Sequence, residues 1–298
     1  MKSRLLIIGG SGLLGGTLIS YALDEYEIHA TYNKNEILFD NISSTKIDLL
    51  EDRSKITQLI KTLKPDATIH TAAHPSVDLC EKNPKIADTL HIDITKDIAS
   101  ACKEANSKLI YLSTDAVFEG QLNKKYNESD KPNPINYYGK TKLEAEKIVL
   151  GADPRNVILR TAVIYGWHKR SRFTSWILDT LKEKRTVDPF VDQFNTPTLV
   201  DDLAKSILRV ISLGICGLYH ATGKTCINRY EFAVQLADLF GYDKNLIKPV
   251  TSLEKKQDAP RPISTCLDSS KLEGMINYQF SDIKNGISFM IKKSRNRI

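Results

Sequence analysis

Along the first 165 positions the apolar residues follow two alternating rhythms. Short unbroken aliphatic runs such as Leu5–Ile8 alternate with longer stretches in which apolar residues recur every three or four positions. An unbroken run suits a strand buried on both faces, and the longer period suits a helix with one buried stripe. This pattern predicts strands over Arg4–Ile8, Ile28–Tyr32, Lys46–Asp48, Ala67–Thr71, Lys108–Ser113 and Val157–Thr161. It predicts helices over Leu13–Leu23, Ser54–Leu63, Ile86–Glu104 and Tyr138–Leu150, the second ending before Pro65. Such alternation specifies an α/β fold with a doubly wound parallel sheet of the Rossmann type and right-handed crossovers. The second half is less regular, with helices expected over Phe173–Leu181, Leu203–Ile211 and Tyr230–Phe240, a strand at Gly217–His220 and a loop at Pro260–Arg261–Pro262. The expected organisation is a Rossmann domain over 1–165 with a returning segment at about 192–222, and a smaller, discontinuous mixed α/β part over 166–298. A ligand cleft is expected between them, at the carboxyl ends of the strands.

Composition changes this picture little. Hydrophobic residues make up 41% and charged residues 26% of 298 residues, an ordinary globular balance. The net charge of +6 is spread along the chain, which suits anionic small molecules. No basic stripe interleaved with aromatics suggests nucleic acid. The densest basic run, Lys292–Arg297, reads as a solvated terminus. Five cysteines without a CxxC pair argue against a disulfide framework or a zinc site, and for a reducing compartment. His70 and His74 straddle a strand end and Pro75 rather than a helical turn, so no metal is expected. The apolar N-terminal run is broken by Gly9, Gly10, Gly12, Gly15 and Gly16, unlike an inserted helix, and no later segment approaches the ~20 apolar residues of a membrane span. The expectation is a soluble cytoplasmic protein with no membrane partner.

The first candidate site is the glycine run itself. Gly10, Gly12 and Gly15 satisfy GxGxxG, and Gly9, Gly12 and Gly15 satisfy GxxGxxG. The run follows the first strand and opens the first helix. There glycine permits a tight turn, lets backbone amides approach a pyrophosphate, and aims the helix N-terminus at it. Gly9, Gly12, Leu13, Leu14 and Gly15 are the candidate cofactor contacts. A strict NAD enzyme should end its second strand in an acid, but here the strand ends Tyr32–Asn33–Lys34. Lys34 either pairs with a 2′-phosphate, which leans toward NADP over NAD, or is a solvated loop lysine.

The second candidate is Tyr138-Gly139-Lys140-Thr141-Lys142. Residues four apart share one helical face. An ammonium beside a phenol stabilises the phenolate and is expected to bring its pKa down from about 10 toward neutrality. The fifth strand ends in Ser113-Thr114-Asp115, where the Thr114 hydroxyl is placed to hold a carbonyl oxygen as it becomes an alkoxide.

These segments, taken in order, resemble the extended short-chain dehydrogenases, and within them the dTDP-4-dehydrorhamnose reductase family. The resemblance covers nearly the whole chain. Ala72-Ala73-His74 resembles the segment lining the cofactor, and Asp48-Leu49 the pair on the adenine side. Ser113–Gly120 is similar to the family's STDYVFDG; Tyr138 to Lys142 with Glu146 is similar to its catalytic helix. Asp192-Gln193-Phe194 with Pro197-Thr198 is similar to DQxxxPT, and Arg261-Pro262 to its C-terminal signature. The resemblance implies hydride transfer from NADP or NAD to the C4 carbonyl of a nucleotide-linked 4-keto-6-deoxy sugar. Tyr138 would supply the proton, Lys142 would tune Tyr138 and hold the ribose, and Thr114 and Asp115 would meet the substrate. Arg261 is either a diphosphate ligand or a structural ion pair. Ala116 stands where the family has tyrosine, Ala162-Val163 where it has a substrate-facing tryptophan, and His91 where many relatives have asparagine. These departures bear on the sugar more than on the reaction. The chain also resembles the regulatory β subunit of methionine adenosyltransferase, which binds NADP without turning over a sugar. An epimerase on the same scaffold is a third reading. Family members sometimes form homodimers.

Overall fold

The computed structural model describes residues 2–73 and 76–295. In chain order, β1 (Ser3–Ile8), α1 (Leu13–Ala22), β2 (Tyr26–Tyr32), β3 (Ser43–Lys46), α2 (Arg53–Leu63) and β4 (Ala67–His70) form the first winding. A short helix α3 (Val77–Lys82) leads into a helical stretch made of α4 (Pro84–Ala87), a π-type turn over Asp88–Asp93, and α5 (Ile94–Glu104). Then come β5 (Lys108–Thr114), α6 (Tyr137–Ala152) and β6 (Val157–Thr161). The second half carries β7 (Ile164–Tyr165), α7 (Arg172–Lys182), β8 (Phe194–Asn195), β9 (Thr198–Leu199), α8 (Val200–Ser212), β10 (Gly217–His220), β11 (Ile227–Asn228), α9 (Arg229–Phe240), α10 (Ser270–Ile276) and α11 (Ile283–Arg295).

Seven strands form one parallel sheet in the order β10-β6-β5-β4-β1-β2-β3. The order reverses at β1, which pairs with β2 on one side and β4 on the other. A crevice opens at such a reversal, above the carboxyl ends of the strands. Alternate residues of each strand feed opposite layers. Leu5 and Ile7 face α1 and α8, while Leu6 and Ile8 face α2, α5 and α6. A third apolar core gathers Ile177, Leu181, Phe232, Leu236, Ile287 and Met290 from α7, α9 and α11. No helix among the described residues is long and apolar enough to cross a membrane.

The structure departs from the sequence reading in four places. The third strand lies at Ser43–Lys46 rather than Lys46–Asp48, paired from His29↔Ser43 to Tyr32↔Lys46. As the sheet edge it needs no apolar run, so its mostly exposed Ser-Ser-Thr-Lys gave no signal. The stretch expected as one helix from Ile86 begins at Pro84 and contains the π-type turn. Helices α3, α10 and α11 were not anticipated, two of them being only one or two turns long. Cys226 and Cys266, 40 residues apart, form a disulfide with their Cα atoms 5.5 Å apart. Strand β8 brings them together by bonding to β11 and bridging to Ser264. The cysteine content therefore carries no argument for a reducing compartment.

Candidate active site

The glycine run forms the floor of a cleft of about 400 Å³ at the sheet reversal. Gly9 adopts φ +91°, a left-handed conformation that glycine tolerates at no steric cost. A Cβ on Gly15 would lie 2.3 Å from the Gly9 carbonyl oxygen, so helix α1 can close onto the loop only with glycine there. The α1 N-cap is Gly12, which offers no side-chain cap to the helix's first amides. The cleft is lined by Gly9, Ser11, Gly12, Asp48, Leu49, Ala72 and Ala73 among others. Leu13 and Leu14 turn away and pack into the core beneath α1. Asp48 holds the rim, accepting from Asn33 Nδ2 at 3.0 Å and from the Leu50 amide at 3.0 Å. Lys34 is exposed and does not line the cleft, so the expected 2′-phosphate contact is not formed by the wall itself. The strand end that would carry it runs on into solvent after Asn33. His74 lies outside the described residues.

Thr114, Tyr138 and Lys142 meet at the ends of β5 and α6, all deeply buried or nearly so. Asn136 caps α6 by accepting the Gly139 amide at 2.8 Å. A Cβ on Gly139 would lie 2.2 Å from the Ala116 carbonyl oxygen, so this glycine lets the helix start press against the turn after β5. That contact delivers Tyr138 to Thr114. Burial pushes the Tyr138 hydroxyl above its ordinary value, against a smaller opposing pull from its hydrogen bond with Thr114. Lys142 donates to Tyr111 Oη at 2.6 Å and to the Leu112 carbonyl at 2.7 Å. Burial draws its ammonium down to about 7, with Glu146 pulling the other way. The expectation that Lys142 lowers the Tyr138 pKa is thus not met in the chain alone. Desolvation dominates both groups, and two of the three Lys142 protons are spent on β5.

Behind this trio lies an ion pair that sequence reasoning did not name as a site feature. Glu146, one turn beyond Lys142, accepts Ser113 Oγ at 2.5 Å and both Arg160 Nε (2.9 Å) and Arg160 Nη2 (2.7 Å). The Arg160 and Glu146 side chains are 4% and 3% exposed, so the pair is fully desolvated and clamps α6 to β5 and β6. His91 reaches Thr141 Oγ1 through Nδ1 at 2.8 Å and meets the Tyr138 ring edge-on at 5.5 Å.

Asp115 was expected to face the substrate, but its carboxylate is taken up by the protein. It accepts from Thr114 Oγ1 (3.0 Å), Asn195 Nδ2 (2.6 Å) and Thr265 Oγ1 (2.5 Å). These bonds tie β5 to β8 and to the 264–266 segment, a contact invisible in a linear reading. Desolvation still raises its pKa.

A second cleft, of about 360 Å³, opens on the other side toward the second half. Arg172, Arg229, Lys255 and Arg261 supply its cations, and Phe173, Trp176 and Phe190 its aromatic faces. Arg261 is in this cleft as expected, yet it also bridges to Asp78 at 2.8 Å and to the Ala259 carbonyl at 3.1 Å, so it is part structural strut. Arg229 stacks 5.3 Å over the Phe173 ring; desolvation draws it down to about 10, against an opposing pull from Asp115. Sequence reasoning missed Arg172 and Arg229 at helix starts, Trp176 within α7 and Phe190 in a loop, because their neighbours in the cleft are remote in sequence.

The fold recurs in known proteins. The family model described as the RmlD substrate binding domain matches residues 3–296. The chain is 30% identical over 273 residues to the probable low-salt glycan biosynthesis reductase Agl14 of Haloferax volcanii, covering 90% of each. It is 32% identical over 282 residues to methionine adenosyltransferase 2 subunit beta of Xenopus tropicalis, covering 91% of this chain and 81% of that one. Among solved structures it is similar to the dTDP-4-dehydrorhamnose reductase of Bacillus anthracis in complex with NADP. The TM-score there is 0.87 at 28% identity, over 98% of this chain and all of the other. With a match running from β1 through the last helix, the chain belongs to the RmlD substrate-binding-domain family.

Proposed function

We propose that this chain is an NAD(P)H-dependent reductase of a nucleotide-linked 4-keto-6-deoxy sugar. The observation that carries the reading is the Thr114–Tyr138–Lys142 set, with Thr114 and Lys142 buried and Tyr138 partly so, in a chain that also holds a glycine-loop cleft and a cationic cleft. The glycine-loop cleft fits a dinucleotide. Its Gly9–Gly15 cradle has no room for a Cβ at the helix contact, and its first-turn amides lack a side-chain cap. The dinucleotide supplies hydride when bound.

The protein's own groups do the rest. The Thr114 oxygen is fixed by the Ala116 amide at 3.1 Å, and its hydrogen turns from Asp115 to the sugar oxygen as negative charge grows there. Tyr138 gives its proton to that oxygen. A phenol held above its ordinary pKa keeps the proton until an alkoxide forms. Lys142 keeps one donor beyond those spent on Tyr111 and Leu112, and that donor would bond the cofactor's ribose hydroxyls. Arg172, Arg229 and Arg261 would bind the nucleotide diphosphate, and Trp176 with Phe190 would cover its base.

The test is to incubate the purified protein with NADPH or NADH and a dTDP-4-keto-6-deoxy sugar and follow absorbance of the reduced nicotinamide. Tyr138→Phe should reduce turnover by roughly 10²–10⁴-fold, with cofactor affinity retained. A second reading has its own support in the relatives named methionine adenosyltransferase 2 subunit beta, as similar in sequence as the reductases. There the chain would bind the dinucleotide and partner a synthetase. Clear cofactor binding with no oxidation of NADPH, and co-purification with a synthetase, would favour it.

A further inference from the structure

Among the described residues, the first half of the chain gives the glycine-loop cleft no Lys or Arg. Its wall from the first half is made of glycines, hydroxyl and amide side chains and aliphatic groups, with Asp48 as the acid. Lys34 and Lys46, each next in sequence to a lining residue, are exposed outside it. A dinucleotide brings at least two negative charges into this cleft, and among the described lining residues a single Lys or Arg side chain is present: Arg170.

Arg170 comes from the other half of the chain. It lies on the turn 166–171 between β7 and α7, and that turn is bonded to itself. The Gly166 amide donates to Ser171 Oγ at 3.0 Å, the Ser171 amide to the His168 carbonyl at 2.8 Å, and the Arg170 amide to His168 Nδ1 at 3.1 Å. Ser171 Oγ in turn meets Thr174 Oγ1 at 2.6 Å in the first turn of α7. The turn is thus a fixed arm rather than a loose loop. Among the described residues no carboxylate pairs with the Arg170 guanidinium, although it is part-buried. An arginine held over a cleft without an acid partner is suited to an anion that arrives with the ligand.

We propose that Arg170 is the phosphate-binding cation of the dinucleotide site, lent to the first half by the 166–171 turn. The proposal rests on the dinucleotide reading of the cleft. It also joins the two sites physically, because the same turn runs into Arg172, Phe173 and Trp176 of the cationic cleft.

The experiment measures NADPH and NADH affinity by quenching of protein fluorescence, for the native chain, Arg170→Ala, Arg170→Gln and Lys34→Ala. Unfolding midpoints equal to the native one show that each variant is folded. Arg170→Ala and Arg170→Gln should weaken binding by about tenfold to a hundredfold, and the loss should shrink as salt is raised. Lys34→Ala should bind as the native chain does. Loss for NADPH alone places the guanidinium on the 2′-phosphate, and equal loss for both places it on the pyrophosphate. Native-like binding of both dinucleotides by the Arg170 variants would overturn the proposal while leaving the dinucleotide reading intact. Failure of the native chain to bind either dinucleotide would overturn that reading, and this proposal with it.

Discussion

The glycine-loop cleft and the cationic cleft are made of different material. The glycine-loop cleft is mostly backbone: a left-handed Gly9, a Gly15 pressed against the Gly9 carbonyl, and first-turn amides of α1. Its shape is set by steric fit, and nine of its lining residues lie in three short stretches, 9–12, 31–33 and 48–50. The cationic cleft is mostly side chain, drawn from α3, the start of α7, the segment after Pro189, the start of α9 and the loop before Arg261. Backbone sites fail abruptly when an atom is added, because neighbouring backbone cannot give way. Side-chain sites lose affinity in steps, one contact at a time.

The sharpest test of that contrast is Gly15→Ala. Its Cβ would meet the Gly9 oxygen at 2.3 Å and the Gly10 Cα at 2.7 Å. Displacing the loop by that much should lower turnover roughly a hundredfold and cost about 1–3 kcal/mol of stability. Dinucleotide titration and thermal unfolding check both. A tolerated alanine would break the comparison at its strongest point. Arg229→Ala should be milder, raising KM for the nucleotide sugar about tenfold or somewhat more while the dinucleotide dissociation constant stays unchanged. Weaker dinucleotide binding in that variant would show that the two clefts are not separable.

The smallest expected change, one of stability alone, is at Lys142. Its folded-state pKa is lowered from 10.5 to about 7 by burial. Between those values the unfolded chain holds the proton that the folded chain has released, so stability rises with pH across that window. Below about 7 the folded chain must carry a buried ammonium, and the full cost applies. Lys142→Met should therefore raise the unfolding midpoint of the cofactor-free protein at pH 6, with the gain fading toward pH 10. Thermal scans at several pH values decide it. A midpoint difference independent of pH would place the ammonium in a better solvated setting than its 2% exposure suggests.

The contrast also explains what could be read before the fold was known. Strands β1, β5, β6 and β10 and helices α1, α2 and α6 to α9 were legible within a few residues, since each buries a continuous stripe or run. The β3 edge was misplaced because an exposed edge needs no pattern. Within the site, Gly9, Gly12, Asp48, Leu49, Ala72 and Ala73 line their cleft as a local motif would place them. The bonds of Asp115 could not be read from the chain because its partners, Asn195 and Thr265, lie 80 and 150 residues away. Of the two readings of Lys34, its exposure outside the cleft wall agrees with the solvated loop lysine, since proximity in sequence to the second strand does not fix where a loop side chain points.

Sequence alone determined the parallel sheet, the glycine turn, and the pairing of Tyr138 with Lys142 on one helical face, because each depends on periodicity or on spacing within one element. Only the tertiary structure decided the charge state and the reach of the site. Burial, not the Tyr–Lys spacing, holds Lys142 low and Tyr138 high. Packing of β8 against β11 and Ser264 brought Cys226 to Cys266. The crossing of the 166–171 turn put Arg170 over the glycine loop. Desolvation and long-range contact are properties of the folded environment, and no window of neighbouring residues contains them.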